Sequence, residues 1–198
     1  MRRIDRRARG LYNGRAMARR RIYHLGLGGN LGDPVRRLAR ARALLERNGV
    51  RIRTASSLYR TEPVGPIGQP WFINQVLEVE AGLSPVDLLR LAKSIERRLG
   101  RIPGPRNGPR TLDIDILLAG TTVLRTADLA IPHPRLAGRK FVLVPLAEIA
   151  PRRIHPVTKK TIAALKKASA DQAIVERLKR RPSSVRAGAN RPLRPGSK

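Results

Sequence analysis

Between residues 22 and 118 two periodicities alternate, and that alternation limits the possible folds more than any other feature of the chain. Residues 22–27 and 71–80 repeat at every second position, as half-buried strands do. Leu38, Ala41, Leu44 and Leu45 recur at helical spacing, and so do Leu88, Leu91, Ala92, Ile95 and Leu99. With strands at residues 50–59 and 111–118, the order is strand, helix, strand, strand, helix, strand. That succession predicts an α+β fold, the ferredoxin-like βαββαβ sandwich, with an antiparallel sheet carrying helices on one face. Punctuation agrees. Asp33 and Pro34 suit the cap and first position of a helix that Asn48 and Gly49 close, and Ser84, Pro85 and Gly100 bracket the next. Residues 28–34 read as a turn. Further on, residues 141–149 read as a short helix interrupted by Pro145, residues 161–168 as an amphipathic one, and residues 169–176 as its extension.

A net charge of +28 would by itself suggest a nucleic-acid partner. Its placement argues otherwise. Residues 1–21 hold nine Lys/Arg and one acid, and residues 177–198 hold eight and none, so each end carries +8 and the middle only +12. Ends so basic and so poor in apolar residues are expected to be disordered. The chain then divides into an N-terminal extension (1–21), one domain (22–168) and a basic tail (169–198). Nucleic acid would be bound only non-specifically, through the ends, because six aromatic residues are few for a stacking surface. There is no apolar run near the roughly 20 residues that span a bilayer. The absence of cysteine leaves the reducing cytoplasm as the expected compartment.

Asp113 and Asp115 stand two apart in a strand pattern, so they share a face while Leu112, Ile114 and Ile116 point to the core. Alone, such a pair suits the wet face of an ordinary strand better than a metal site. Arg101, Arg106 and Arg110 lie just upstream, and guanidinium forks beside carboxylates suit a polyphosphate with its divalent cation. Phe72 and Asn74 also share a face; a ring and an amide can stack on and pair with a flat heterocycle, or fill a core. His133 and Arg139 flank a proline-rich loop, while His24 and His155 carry no chemical signal of their own.

These segments together resemble one family, the 6-hydroxymethyl-7,8-dihydropterin pyrophosphokinases of folate biosynthesis. The matching runs are residues 27–33, 57–63, 69–74, 108–115 (Gly-Pro-Arg-Thr-Leu-Asp-Ile-Asp), 131–135 and 141–146. The resemblance implies transfer of diphosphate from ATP to the pterin hydroxymethyl group, with AMP released. It implies two Mg²⁺ ions on Asp113 and Asp115, with Arg110 and Arg139 beside them at the reacting phosphates. It implies a pterin between Phe72 and Phe141, bonded by Asn74 and the backbone of Thr61 and Val64. Glu96, Arg101, Arg106, Arg110, Ile116, His133 and Arg139 would line the ATP site, and the enzyme would act as a monomer. Three positions depart from the family pattern: Asn107 replaces a tryptophan, residues 101–105 form a short proline-stiffened loop, and Lys140 replaces a small residue. A relative with lost turnover, or a basic nucleic-acid-binding module, are the competing readings.

Overall fold

The computed structural model describes residues 20–64, 68–105 and 107–179. The sheet begins with β1 (Arg21–Gly29), followed by α1 (Pro34–Arg47), β2 (Arg51–Ala55), β3 (Tyr59–Thr61) and β4 (Phe72–Ala81). Then come α2 (Pro85–Arg98) and β5 (Asp113–Ala119). Both helices start where the caps predict: Asp33 Oδ1 accepts from Arg36 N at 2.9 Å, and Ser84 Oγ from Asp87 N at 3.2 Å. Pairing is antiparallel throughout, in the order β5-β1-β4-β3, with β2 also on β4. This is the predicted topology.

The structure corrects several details. The strand expected over residues 50–59 is two strands on one edge of β4, because Ser56 breaks the ladder. Its hydroxyl accepts from Val76 N at 3.0 Å and its carbonyl accepts from Gln75 Nε2 at 2.7 Å. Ser56 N still donates to Val76 O at 2.9 Å, but the return bond goes to its side chain instead of a backbone carbonyl. Gly28 and Gly29 belong to β1 rather than to a turn. A Cβ at Gly29 would lie 2.5 Å from Thr111 O, so only glycine permits the strand to continue so close to its neighbour.

Helices cover both faces rather than one. Leu25, Leu27, Leu77, Ile114 and Ile116 meet Leu38, Leu45, Leu88 and Ile95 from α1 and α2. On the other face Val76, Leu117 and Leu118 are also apolar, and a sheet apolar on both sides needs a second cover. It comes from α3 (Lys140–Ile149) and α4 (Ile162–Lys167), through Val142, Leu143, Leu146, Ile162 and Leu165. Helix α3 runs unbroken through Pro145, where one backbone bond is lost but the ring is buried together with Leu143 and Leu146.

Between β5 and α3 lies a small hairpin the sequence did not announce, β6 (Leu124–Arg125) with β7 (Ala130–Ile131). The helix expected over residues 169–176 is absent. Asp171 bonds its own chain, Oδ1 to Ala173 N at 2.9 Å, and the β-branched pair Ile174 and Val175 enters a strand, β8 (Val175–Arg177), on the free edge of β3. The domain therefore extends past residue 168, into the segment expected to be a tail. The rest of the expected basic ends, residues 1–19 and 180–198, lies outside the described residues. Among the described residues no helix is long and apolar enough to cross a membrane.

Candidate active site

Helix α3 is short and covers only part of its face of the sheet. What it leaves bare is a cavity of ≈ 350 Å³. Register decides what the floor is made of: across the sheet Asp113 pairs with Gly28, and Gly28 with Asn74. One step along, Asp115 pairs with Gly26, and Gly26 with Val76. Two glycines in the central strand therefore keep the floor open between an acidic edge and an amide edge. The fit is tight, since a Cβ at Gly28 would come within 2.3 Å of Asn74 Oδ1.

On the amide side, Asn74 Nδ2 donates to Thr61 Oγ1 at 2.6 Å, and both residues are buried. Phe72, Val64 and Phe141 complete this wall. The chain has only two phenylalanines and both line this cavity, which argues against their being ordinary core residues. Each ring also has a guanidinium nearby, Arg110 at 5.9 Å from Phe72 and Arg139 at 5.3 Å from Phe141.

On the acidic side the two aspartates differ. Burial would raise the carboxyl of Asp113, but Arg101, Lys93 and Arg110 outweigh it and hold it below the usual range. Arg101 Nη1 donates to Asp113 Oδ1, Arg110 Nη1 to Oδ2 at 2.8 Å, and Lys93 Nζ lies 3.9 Å away. Asp115 is raised instead, first by burial and then by the charge of Asp113. Such a pair is short of positive charge at one member, and a divalent cation would supply it. Among the described residues no cluster of three or more His, Cys, Asp or Glu could hold a metal. Its remaining ligands would have to be phosphate oxygens and water, the environment Mg²⁺ prefers. The donor set fits.

Among the described residues five cations, Lys93, Arg101, Arg110, Arg135 and Arg139, line the cavity against three acids, Glu62, Asp113 and Asp115. The excess suits an anionic ligand. Lys93 escaped the sequence reading, although its i,i+3 spacing from Glu96 on α2 was a usable signal, and Arg135 stood there only within the matching run 131–135, without a role. Ile116 and His133, expected beside ATP, line an adjoining cavity of ≈ 610 Å³ that shares Lys93 and Asp115 with the first. His133 Nδ1 accepts from Arg135 N at 3.2 Å, so in the neutral ring Nε2 carries the proton. Burial, aided by Arg139 and Arg135, lowers its pKa despite Asp115.

Glu96 does not line either cavity. It is 1% exposed, accepts from Ile114 N at 2.7 Å and Lys93 Nζ at 2.8 Å, and pairs with Arg101 at 2.8 Å. It fixes α2 to β5 and orients two of the cations. Arg106 lies outside the described residues.

Asn30, read only as part of a turn, joins three loops. Its Oδ1 accepts from Arg110 N at 2.8 Å and its Nδ2 donates to Pro70 O at 2.9 Å and Gln69 Oε1 at 3.3 Å. Gln69 Nε2 in turn donates to Asn107 O at 3.1 Å. Asn107 has φ 59°, a left-handed conformation that asparagine tolerates better than a bulky residue. The departure at this position thus has a local backbone reason.

Residues 24–151 match the model of the family described as 7,8-dihydro-6-hydroxymethylpterin-pyrophosphokinase (HPPK). The chain is 45% identical over 129 residues to the 2-amino-4-hydroxy-6-hydroxymethyldihydropteridine pyrophosphokinase of Bacillus subtilis, covering 65% of this chain and 77% of that one. Against the Haemophilus influenzae protein of the same name identity is 39% over 154 residues, covering 77% and 96%. Among solved structures, Plasmodium falciparum HPPK-DHPS superposes with a TM-score of 0.62 at 18% identity. That match covers 75% of this chain and 43% of the Plasmodium chain, and it speaks for the fold alone.

Proposed function

The chain belongs to the 7,8-dihydro-6-hydroxymethylpterin-pyrophosphokinase family, and we propose how its own residues divide that family's reaction among them. The protein is a transferase of folate biosynthesis that moves diphosphate from ATP to 6-hydroxymethyl-7,8-dihydropterin. A bond forms between the pterin hydroxyl oxygen and the β-phosphorus as the hydroxyl proton is released, the bond from that phosphorus to the α-bridging oxygen breaks, and AMP leaves with that oxygen.

The pterin occupies the amide side of the cavity, its rings between Phe72 and Phe141 and its edge on Asn74 and the backbone of Thr61 and Val64. Offset stacking and a two-sided amide suit a flat heterocycle with alternating donors and acceptors. ATP lies along the acidic side, reaching toward the adjoining cavity, with Ile116 and His133 beside the nucleoside. Arg110 and Arg139, with Arg101 and Arg106, take the phosphates. Asp113 and Asp115 would hold two Mg²⁺ ions, which supply neutralisation of phosphate charge when bound. Arg101 and Arg110 now rest on Asp113; nucleotide entry gives these guanidinium groups phosphate oxygens in exchange. Catalysis is then positioning and electrostatics, as in other phosphoryl transfers, with no covalent intermediate on the protein. Glu96 serves by orienting Lys93 and Arg101 rather than by touching nucleotide. The domain acts as a cytoplasmic monomer, and polyanions bind only through the basic ends, in a salt-sensitive way.

The observation that carries this assignment is the glycine-floored cavity, which sets two carboxylates opposite an aromatic and amide wall. Purified protein given ATP, Mg²⁺ and the hydroxymethyl pterin should release AMP, and Asp115→Ala should bring that release to background while pterin still binds. Pterin binding by the unaltered chain without AMP would instead favour a relative that has lost turnover.

A further inference from the structure

Helix α3 delivers Arg139 and Phe141 to the cavity from its first turn, yet its own cap is unsuited to the task. The cap residue is Arg139, whose side chain makes no capping hydrogen bond. The first turn of a helix presents unpaired N–H groups and partial positive charge, so an acceptor, best an anionic one, is wanted there. It arrives from 31 residues away: Asp171 Oδ2 accepts from Lys140 N at 2.8 Å.

Asp171 is itself held. Its Oδ1 accepts from Ala173 N at 2.9 Å, and its backbone N–H donates to Ser169 Oγ at 3.3 Å. The chain then runs directly onto the sheet. Ile174 O accepts from Glu62 N at 3.0 Å, β8 pairs with β3 from Thr61 to Tyr59, and Leu178 N donates to Leu58 O at 2.8 Å. One short segment thus touches both sides of the amide end of the cavity, the strand that carries Thr61 and the helix turn that carries Phe141. It lies wholly beyond residue 151, where the family match ends.

We propose that residues 171–178 form a strap across these two walls, and that Asp171 is a positioning residue which sets Arg139 and Phe141 through the Lys140 amide. Asp171 touches no substrate. The inference rests on the assignment of this end of the cavity to the pterin.

The test uses the full chain, with pterin affinity read by ligand fluorescence and backbone order read by amide exchange at Val142 and Leu143. Asp171→Ala should weaken pterin binding about fivefold and speed exchange at those amides, the scale of a lost cap. Asp171→Asn keeps one acceptor oxygen for the Lys140 and Ala173 N–H groups and should restore both readouts only in part. Lys140→Pro removes the donor without disturbing the strap; proline is tolerated at a first helical position, and Arg139 already has the extended conformation a following proline requires (φ −118°, ψ 108°). In that background Asp171→Ala should have no further effect. Unchanged affinity and exchange in Asp171→Ala, or an undiminished effect in the Lys140→Pro background, would each overturn the proposal. If the unaltered protein does not bind the pterin, the cavity assignment falls, while the exchange rates still report on the strap.

Discussion

At the scale of single residues, the site depends as much on absent side chains as on present ones. Gly26 and Gly28 contribute nothing but space, and the space at Gly28 is already filled by the amide of Asn74. Gly28→Ala must therefore push Asn74 aside and break its 2.6 Å bond to Thr61, although neither residue is changed. The expected outcome is a pterin affinity lower by about tenfold, with stability down by about 1–3 kcal/mol, the range for overpacking a well-packed site. Fluorescence titration and urea unfolding check the two halves. AMP release at saturating pterin should suffer less than affinity, since Asp113 and Asp115 stay in place.

At the scale of elements, the break between β2 and β3 is held by one side chain. Ser56 sits at the break, 4% exposed, and its hydroxyl is the acceptor for the buried Val76 N–H. Ser56→Ala leaves that donor unsatisfied, at a cost of about 1–3 kcal/mol. Urea unfolding should show a lower midpoint with an unchanged slope, because the surface exposed on unfolding stays the same. A null result would mean that the edge of β4 can close the gap with its own backbone. Helix α3 poses the complementary problem. It is apolar enough to pack over Val76 and Leu117, but too short to cover the remainder of the face, and that shortfall is the cavity.

At the scale of the whole molecule, His24 links folding to acidity. It is 1% exposed in the central strand, and burial followed by the charge of Arg153 pushes its pKa down to about 4. Glu78 Oε2 lies 3.2 Å from Nε2, without a well-directed hydrogen bond. In the unfolded chain the ring takes a proton near its ordinary 6.5, so the unfolded state binds more protons as pH falls. The contribution of neutral His24 is complete above that pH and is lost as pH falls toward about 4. Linkage puts its ceiling at about 3 kcal/mol, and Glu78 reduces it by offering a charged ring an opposite charge. Thermal melts across this interval should show a shallower acid limb for His24→Gln than for the unaltered protein, whatever the variant does to stability at neutral pH.

Much of this was legible in the residues themselves. Period-two and helical patterns fix element types, caps fix helix starts, and alternation at Asp113 and Asp115 fixes which way the acids point, because all of these depend on neighbours within a few positions. What stayed hidden depends on partners far away in the chain. Whether Gly28 belongs to a turn or to a floor is decided by Asn74 on another strand. Glu96 was expected at the nucleotide and instead holds Ile114 N, because it lies on the buried face of α2, beside Ala92 and Ile95. The second layer of helices, the strap from Asp171 and the strand β8 follow from how much of a two-faced sheet remains uncovered once α1 and α2 have docked. Local sequence settles the conformation of a segment, but which surfaces are left over is known only when all of the segments have been placed together.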